Sequence, residues 1–323
     1  MNNLKYTLME YPKIYIGPMS KNVVDAITEF CFESGNKIGL IPSRRQVDHD
    51  GGYVNNWTTK EFSKYSSNKF LLKRDHAGPG QGYGDDDGFK SLENDCKYFN
   101  MIHIDPWKKY PIYNEGLEWT VKMIRYCYNI NKKIEFEVGT EEAIRRFESE
   151  ELNLLVKDLK FNLEDKIFNQ IKYLVIQSGT SLEGNLNTGK YDKNRLLDMI
   201  KIAKSWNLLS KEHNGDYIPI SLIKEKMSLG LDAINMAPEF GFIETLSYIE
   251  SGIDIYKFWK ICYDSKRWEK WVDSDFDPVS QKLDLIKICG HYVFSTEEFK
   301  KIKPNINKKI KSNIKNKLNE LFK

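Results

Sequence analysis

Residues 101–138 read "MIHIDPWKKYPIYNEGLEWTVKMIRYCYNINKKIEFEV". The stretch opens on one apolar run, "MIHID" (101–105), and closes on another, "IEFEV" (134–138). Both are too continuously apolar for a half-exposed antiparallel strand. They fit strands buried on both faces. Between them, "NEGLEWTVKMIRYCYNI" sets Leu117, Val121, Ile124 and Tyr128 on one helical face. The unit reads as strand, helix, parallel strand.

Similar runs recur along the chain: "KIYIG" (13–17), "IGLIPS" (38–43), "FLLKRD" (70–75), "YLVIQ" (173–177), "LLSKE" (208–212) and "AINMA" (233–237). With the first two they make eight strands, separated by helix-like segments. Thr58-Thr59-Lys60-Glu61 is a capping box, and "SLIKEKMSLG" ends on Gly230, a residue suited to the position just past a helix. Eight strands alternating with helices predict the α/β class and a (β/α)8 TIM barrel, ahead of an open doubly wound sheet. The charged segment around 141–170 suggests an extra helix pair after strand five. Beyond strand eight, "FIETLSYIE", "IYKFWKICY", "WEKWV" and "SQKLDLIKICGHYVF" read as helices. The expected organisation is a barrel over 1–245 and a C-terminal helical extension over 246–323, packed on the barrel. In the tail, Ile302, Ile306, Ile310, Ile314 and Leu318 recur every fourth residue among lysines. That pattern predicts a packed terminal helix with a solvated lysine face.

With 323 residues, 41% hydrophobic and 13% aromatic, the chain can fill one large barrel core. The 49 basic and 46 acidic residues leave a net charge of +3. This near balance points to no nucleic-acid and no membrane partner, and the basic tail has no aromatic residues interleaved to stack bases. The five cysteines (Cys31, Cys96, Cys127, Cys262, Cys289) form no CxxC pair and read as reduced thiols. No signal peptide and no run of eighteen apolar residues is read, so the expectation is a cytoplasmic protein.

A barrel of this class carries its active site at the C-terminal ends of its strands. Arg44, Arg45, Gln46, Asp48 and His49 follow strand two, and Asp75-His76 ends strand three. His103, Asp105 and Trp107 end strand four. Glu135 and Glu137, two apart and on one face, lie in strand five, with Thr140 and Glu141 after it. Gln177 ends strand six; Glu212, His213, Asn214 and Asp216 end strand seven; Asn235 ends strand eight. Histidines and carboxylates from different strands can converge on one divalent ion, and imidazole with carboxylate or amide oxygen suits zinc, manganese or a similar metal. His76 and His213, just past apolar runs, read as functional. His49, His103 and His291 read at least as readily as structural. "GPGQGYG" (78–84) completes neither G-x-G-x-x-G nor a P-loop, so it reads as a tight loop and not a nucleotide cradle. Arg44, Arg45 and Lys73 could supply charge to a phosphate.

"RRQVDHDGGYVNNWTTKEF", "DHAGPGQG", "EVGTEEA", "KEHNGDYIPISLIKEKMSLGLDAINMAPEFGFIETL" and the late "RWEKWV" and "GHYVFS" together resemble one family over nearly the whole chain. It is the so-called non-catalytic, Z-type subunit of class II tagatose-bisphosphate aldolases. The blocks are similar to that family's Q-V-N-x-x-G-G-Y, G-D-H-x-G-P, G-T-E and E-A-H-S-T-D-Y, in the same order. The resemblance implies a TIM barrel related to metal-dependent class II aldolases. Some relatives are C4 epimerases of ketoses, ketose phosphates or keto sugar acids. It implies Asp75 as acid/base, with Glu137 or Asp216 as other candidate bases. It implies a metal set of His76, His213, Glu137 and Gln177, where Gln177 stands in place of a further histidine. Zinc is the first choice of ion, with manganese or another divalent ion as alternatives. Arg44, Arg45, Gln46, Lys73, Asp105, Asn214 and Asn235 are the implied substrate contacts. The family's late "SDRIRYYW" is "STEEFKKI" here, which removes its arginines. The expected enzyme cleaves or re-forms the C3–C4 bond of a ketose or ketose phosphate, as an aldolase or an epimerase. It would act as a homo-oligomer or beside a partner aldolase subunit. The alternative is a non-catalytic subunit that stabilises a class II aldolase.

Overall fold

The eight apolar runs become the eight parallel strands of one closed barrel. They are β1 (Ile14–Ile16), β2 (Ile38–Leu40), β3 (Leu71–Ala77), β4 (Met101–Ile104), β5 (Glu135–Val138), β6 (Ile171–Ile176), β7 (Leu209–Glu212) and β8 (Ala233–Met236). The structure is a computed structural model and describes residues 11–66 and 69–323. Neighbours in the barrel are neighbours in sequence, and β8 closes on β1 through Ile14, Tyr15 and Ile16 facing Ile234, Asn235 and Met236. The (β/α)8 TIM barrel read from the sequence is therefore the fold.

Helices α1 (Lys21–Ser34), α2 (Thr59–Ser66), α3 (Phe89–Tyr98), α4 (Tyr113–Ile130), α5 (Ser149–Asn162), α6 (Asp165–Phe168), α7 (Lys193–Ser205), α8 (Ile220–Ser228) and α9 (Pro238–Glu250) form the outer ring. The capping box opens α2: the Glu61 N–H donates to Thr58 Oγ1 at 3.2 Å, and the Thr58 N–H donates to Glu61 Oε2 at 2.9 Å. The 141–170 segment does not add a helix pair. It supplies the barrel's own fifth helix, α5, and the four-residue α6. The additional element comes after β6 instead, as a short antiparallel hairpin pairing Leu182 with Asn187 and Glu183 with Leu186. Its two-residue turn is Gly184-Asn185, a hairpin signal that "LEGNLN" carries.

Strand alternation decides what fills the barrel. Tyr15 of β1, Lys73 of β3, Glu137 of β5 and Lys211 of β7 come from alternate strands and form a polar layer in the interior. Lys73 Nζ donates to Glu137 Oε1 at 2.6 Å. Lys211 Nζ lies 3.3 Å from Glu137 Oε2 and 3.1 Å from the centre of the Tyr15 ring. All four side chains are buried. Desolvating such charges costs several kcal/mol per ion, so the pairing is needed to offset it. Ile41, Leu71, Met101, Tyr173 and Ala233 pack with Tyr15 as a buried cluster inside the barrel. Gly39 makes room for that tyrosine, since a Cβ there would sit 2.3 Å from its ring.

Beyond β8, α9 runs through the expected 245/246 boundary. It is followed by α10 (Ile255–Ser265), α11 (Lys282–Cys289), α12 (Glu297–Ile302) and α13 (Asn307–Phe322). The tail helix α13 lies against α1 and α9. Lys311 pairs with Glu29, Lys315 with Glu33 at 2.6 Å, and Lys317 with Glu239 at 2.5 Å. Ile310, Ile314 and Leu318 are fully buried beneath those lysines. Ile310→Ala is therefore expected to lower unfolding stability by about 2–5 kcal/mol. Exposed Lys308→Ala should shift it by less than about 0.5 kcal/mol. Equal midpoints for both variants in urea would contradict this packing. Among the described residues, no helix is long and apolar enough to cross a membrane.

Candidate metal centre

A break in β3 builds the centre of the site. In a regular strand Asp75 and His76 would face opposite sides. Here the β3–β4 register shifts between Arg74 and Ala77, and His76 takes φ = 46°, in the left-handed region. Such a bulge re-aims a side chain, and a non-glycine residue there stores backbone strain. Both residues consequently meet His103 of β4 and His213, which follows β7.

Three imidazoles face one another. Their ring centres are 4.9 Å (His76–His103), 5.1 Å (His76–His213) and 4.9 Å (His103–His213) apart. Each ring has one nitrogen tied to an oxygen. His76 Nδ1 is 2.6 Å from Asp105 Oδ2, His103 Nε2 is 2.9 Å from the Gly139 carbonyl, and His213 Nε2 is 2.9 Å from Glu137 Oε1. The other nitrogens converge on Asp75: His76 Nε2 at 3.7 Å, His103 Nδ1 at 4.0 Å and His213 Nδ1 at 4.0 Å. The His76 N–H also reaches His103 Nδ1 in a long bond of 3.3 Å. This is how metal-binding histidines are held, oriented by an oxygen on the far nitrogen.

The donor set fits a divalent ion. One donor atom from each of Asp75, His76, His103 and His213 lies within 4.8 Å of the others. Zinc bonds of about 2.0–2.1 Å set tetrahedral donors roughly 3.4 Å apart, a spacing within reach of side-chain adjustment. Electrostatics agree. Burial alone would lower His76, but the charge of Asp75, the hydrogen bond to Asp105 and the charge of Glu141 lift it to about 10. Those carboxylates thus favour a cation at this place. Burial holds His103 far below the ordinary histidine value, so it stays a neutral donor. For Glu137, burial acts to raise the carboxyl, but the Lys211 and Lys73 charges and the His213 hydrogen bond hold it well below its usual range.

No family model matches the chain, and no curated protein matches it. Solved structures do. A probable tagatose 6 phosphate kinase from Sinorhizobium meliloti 1021 superposes with a TM-score of 0.74, over 96% of this chain and 99% of that one, at 14% identity. The YdjI aldolase from Escherichia coli K12 gives 0.54 over 90% of each chain at 11% identity. A fructose-bisphosphate aldolase from Campylobacter jejuni gives 0.52 over 91% of each at 12% identity. At these identities the likeness is one of fold: this chain shares the barrel of two aldolases and of a tagatose-phosphate-related protein.

Not every residue expected from the sequence reaches the cluster. Gln177 does not: its amide donates to the Thr140 and Arg145 carbonyls and accepts from the Phe147 N–H, so it pins the loop after β5. His103, placed at the end of strand four and read at least as readily as structural, occupies the third imidazole position. Asp216 is also elsewhere. Its oxygens accept from the Ala237 and Glu239 N–H groups and cap α9, and burial pushes its carboxyl up to about 8. Arg44 is spent on Asp48, Asp86 and the Gly78 carbonyl. It clasps the glycine loop, whose ends close where a Cβ on Gly88 would lie 2.6 Å from Gly78. Gln46 turns to the Ser43 N–H and Met19. The side chain of Lys73 lies below the histidines on Glu137. Asp105 positions His76. Asn214 gives the turn after β7 a φ of 59° and its carbonyl accepts from Asn187. Asn235 donates to Asp75 Oδ1 at 3.2 Å, while its own buried Oδ1 has no hydrogen-bond partner among the described residues. Lys211 and Tyr15 were not singled out from sequence, and Glu141 was placed at the end of strand five without a role. Glu141 Oε2 is 3.8 Å from His76 Nε2.

Proposed function

We propose that the chain is a metal-dependent enzyme of the class II aldolase type, acting on the C3–C4 bond of a ketose or ketose phosphate. One observation carries this: three histidines, each braced by an oxygen on one nitrogen, turn the other nitrogen toward one carboxylate at the barrel mouth. His76, His103 and His213 would hold the divalent ion, with zinc the first candidate. The bound ion supplies Lewis-acid polarisation of the ketose carbonyl.

The chain's own residues do the rest. Asp75 is partly exposed at the mouth, where a sugar can reach it. Its carboxylate takes the proton of the C4 hydroxyl. The C3–C4 bond then breaks, C4 becomes an aldehyde, and the bond pair passes to C3 and on toward the carbonyl. Asn235 steers Asp75 by its amide N–H and leaves its unpartnered oxygen to accept a sugar hydroxyl. Glu137 fixes His213 and is itself fixed by Lys73. Release of the aldehyde gives an aldolase. Recombination on the aldehyde's other face gives a C4 epimerase.

The test is a panel of ketoses and ketose phosphates with zinc-loaded protein in deuterated water, followed by NMR. Retro-aldol epimerisation inverts C4 with no solvent deuterium at that carbon. Deuterium at C4 would mean direct proton exchange and would contradict the proposed step. No turnover of any member by metal-loaded protein would sink the enzymatic reading in favour of a stabilising subunit.

A further inference from the structure

Four cations at the barrel mouth form no ion pair among the described residues. Arg45 follows β2, Lys108 follows β4, and Arg267 and Lys270 come from the segment after α10. The glycine loop and the C-terminal extension bring three of them together. Arg45 Nε donates to the Gly82 carbonyl at 3.3 Å. The Arg267 guanidinium carbon lies 5.0 Å from the Tyr83 ring and 5.8 Å from the Tyr292 ring. Lys270 Nζ is 5.6 Å from the same Tyr292 ring. Lys108 stands three residues past Asp105, the residue that holds His76, and is near enough to feel its charge.

Among the described residues, no carboxylate oxygen lies within 4 Å of the charged nitrogens of these four. Of the neighbouring acids, Asp85 pairs with Lys109, Asp86 with Arg44, Glu297 with Lys300 and Asp105 with His76, while Glu298 lines the same cavity as Arg267 without pairing with it. The mutual repulsion is felt. Crowding of the Lys270 ammonium by protein, then the like charges of Arg45, Lys108 and Arg267, lowers it from the ordinary lysine value, although the residue itself keeps an exposed surface. Desolvation, then Arg45, lowers Lys108 as well. An arrangement of this kind is relieved by a multiply charged anion. Two guanidinium forks with two ammonium groups match a phosphoryl group, which offers several oxygens and close to two negative charges. A single carboxylate would leave most of the charge unmatched.

We propose that Arg45, Lys108, Arg267 and Lys270 form a phosphate subsite, which holds the phosphorylated end of a ketose while its carbonyl end lies at the histidines. The assignment of that phosphate to a sugar rests on the function proposed above. It makes the substrate a ketose phosphate and makes the C-terminal extension part of the active site.

The test is titration of the full-length chain with inorganic phosphate, by calorimetry and 31P NMR, alongside zinc titration of the same preparation. The subsite predicts saturable phosphate binding that falls by about tenfold or more in R267A and in K270Q. Lys308→Ala, remote on α13, should bind like the parent. Lys270 is exposed, so K270Q keeps the test decisive should R267A fail to fold. Phosphate binding that is absent, unchanged in both variants, or no tighter than acetate binding would overturn the subsite. Such a failure with zinc binding intact leaves the metal centre standing. Loss of zinc binding with phosphate binding intact would instead remove the metal reading alone.

Discussion

A His103→Ala chain is expected to bind zinc at least about 100-fold more weakly than the parent, and to lose turnover with it. His103 is fully buried on β4 and its Nε2 is committed to the Gly139 carbonyl, while Nδ1, which accepts only a long bond from the His76 N–H, faces the centre. Its removal takes away one of three converging imidazoles and opens a cavity that two partners cannot close. The informative contrast is Gln177→Ala. Gln177 occupies the position where the family resemblance implies a further ligand. Its amide is occupied with the loop after β5, so this variant should lose stability and keep its zinc. Zinc content measured on both purified variants decides the matter. A zinc-free Gln177→Ala chain beside a zinc-loaded His103→Ala chain would reverse the assignment.

Asp75→Asn is expected to lower kcat by about 10²- to 10⁴-fold while zinc remains bound. The amide keeps the shape of the carboxylate but cannot take a proton from the C4 hydroxyl. It also keeps an oxygen toward Asn235, so local structure should survive. Stopped assays on the best substrate of the panel, with metal content checked in parallel, read this out. Parent-like turnover would remove Asp75 as the base. Loss of zinc together with activity would make it a ligand instead.

The barrel was legible because eight apolar runs sit between helical segments, and a parallel sheet covered on both faces demands such runs. The misread 141–170 segment shows the limit of that pattern, since charge on α5 marks a solvated outer face and not an extra element. The site was legible in part. Asp75, His76 and His213 stand at strand ends and could be placed there by alternation. His103 was placed at the end of strand four in the same way, and the functional reading could have been preferred there: Met101, His103 and Asp105 share one face of β4, and Asp105 was already a site candidate. Lys211 carried a similar signal, two residues before His213 in an apolar strand. What the sequence could not show is the bulge that turns His76 beside Asp75, because that follows from the β3–β4 register. Nor could it show Gln177 and Asp216 turning away, because each is drawn off by backbone groups of a neighbouring loop or helix. Arg267 and Lys270 are distant in sequence from the barrel mouth and reach it only through the packing of the extension on Tyr292 and the glycine loop.

X-ray absorption spectroscopy on the zinc-loaded full-length chain tests the central claim most directly. The account predicts one zinc per chain with three imidazole nitrogens and at least one oxygen at about 2.0–2.2 Å. A chain that takes up no zinc, or one whose zinc has fewer than three imidazole neighbours, would contradict it.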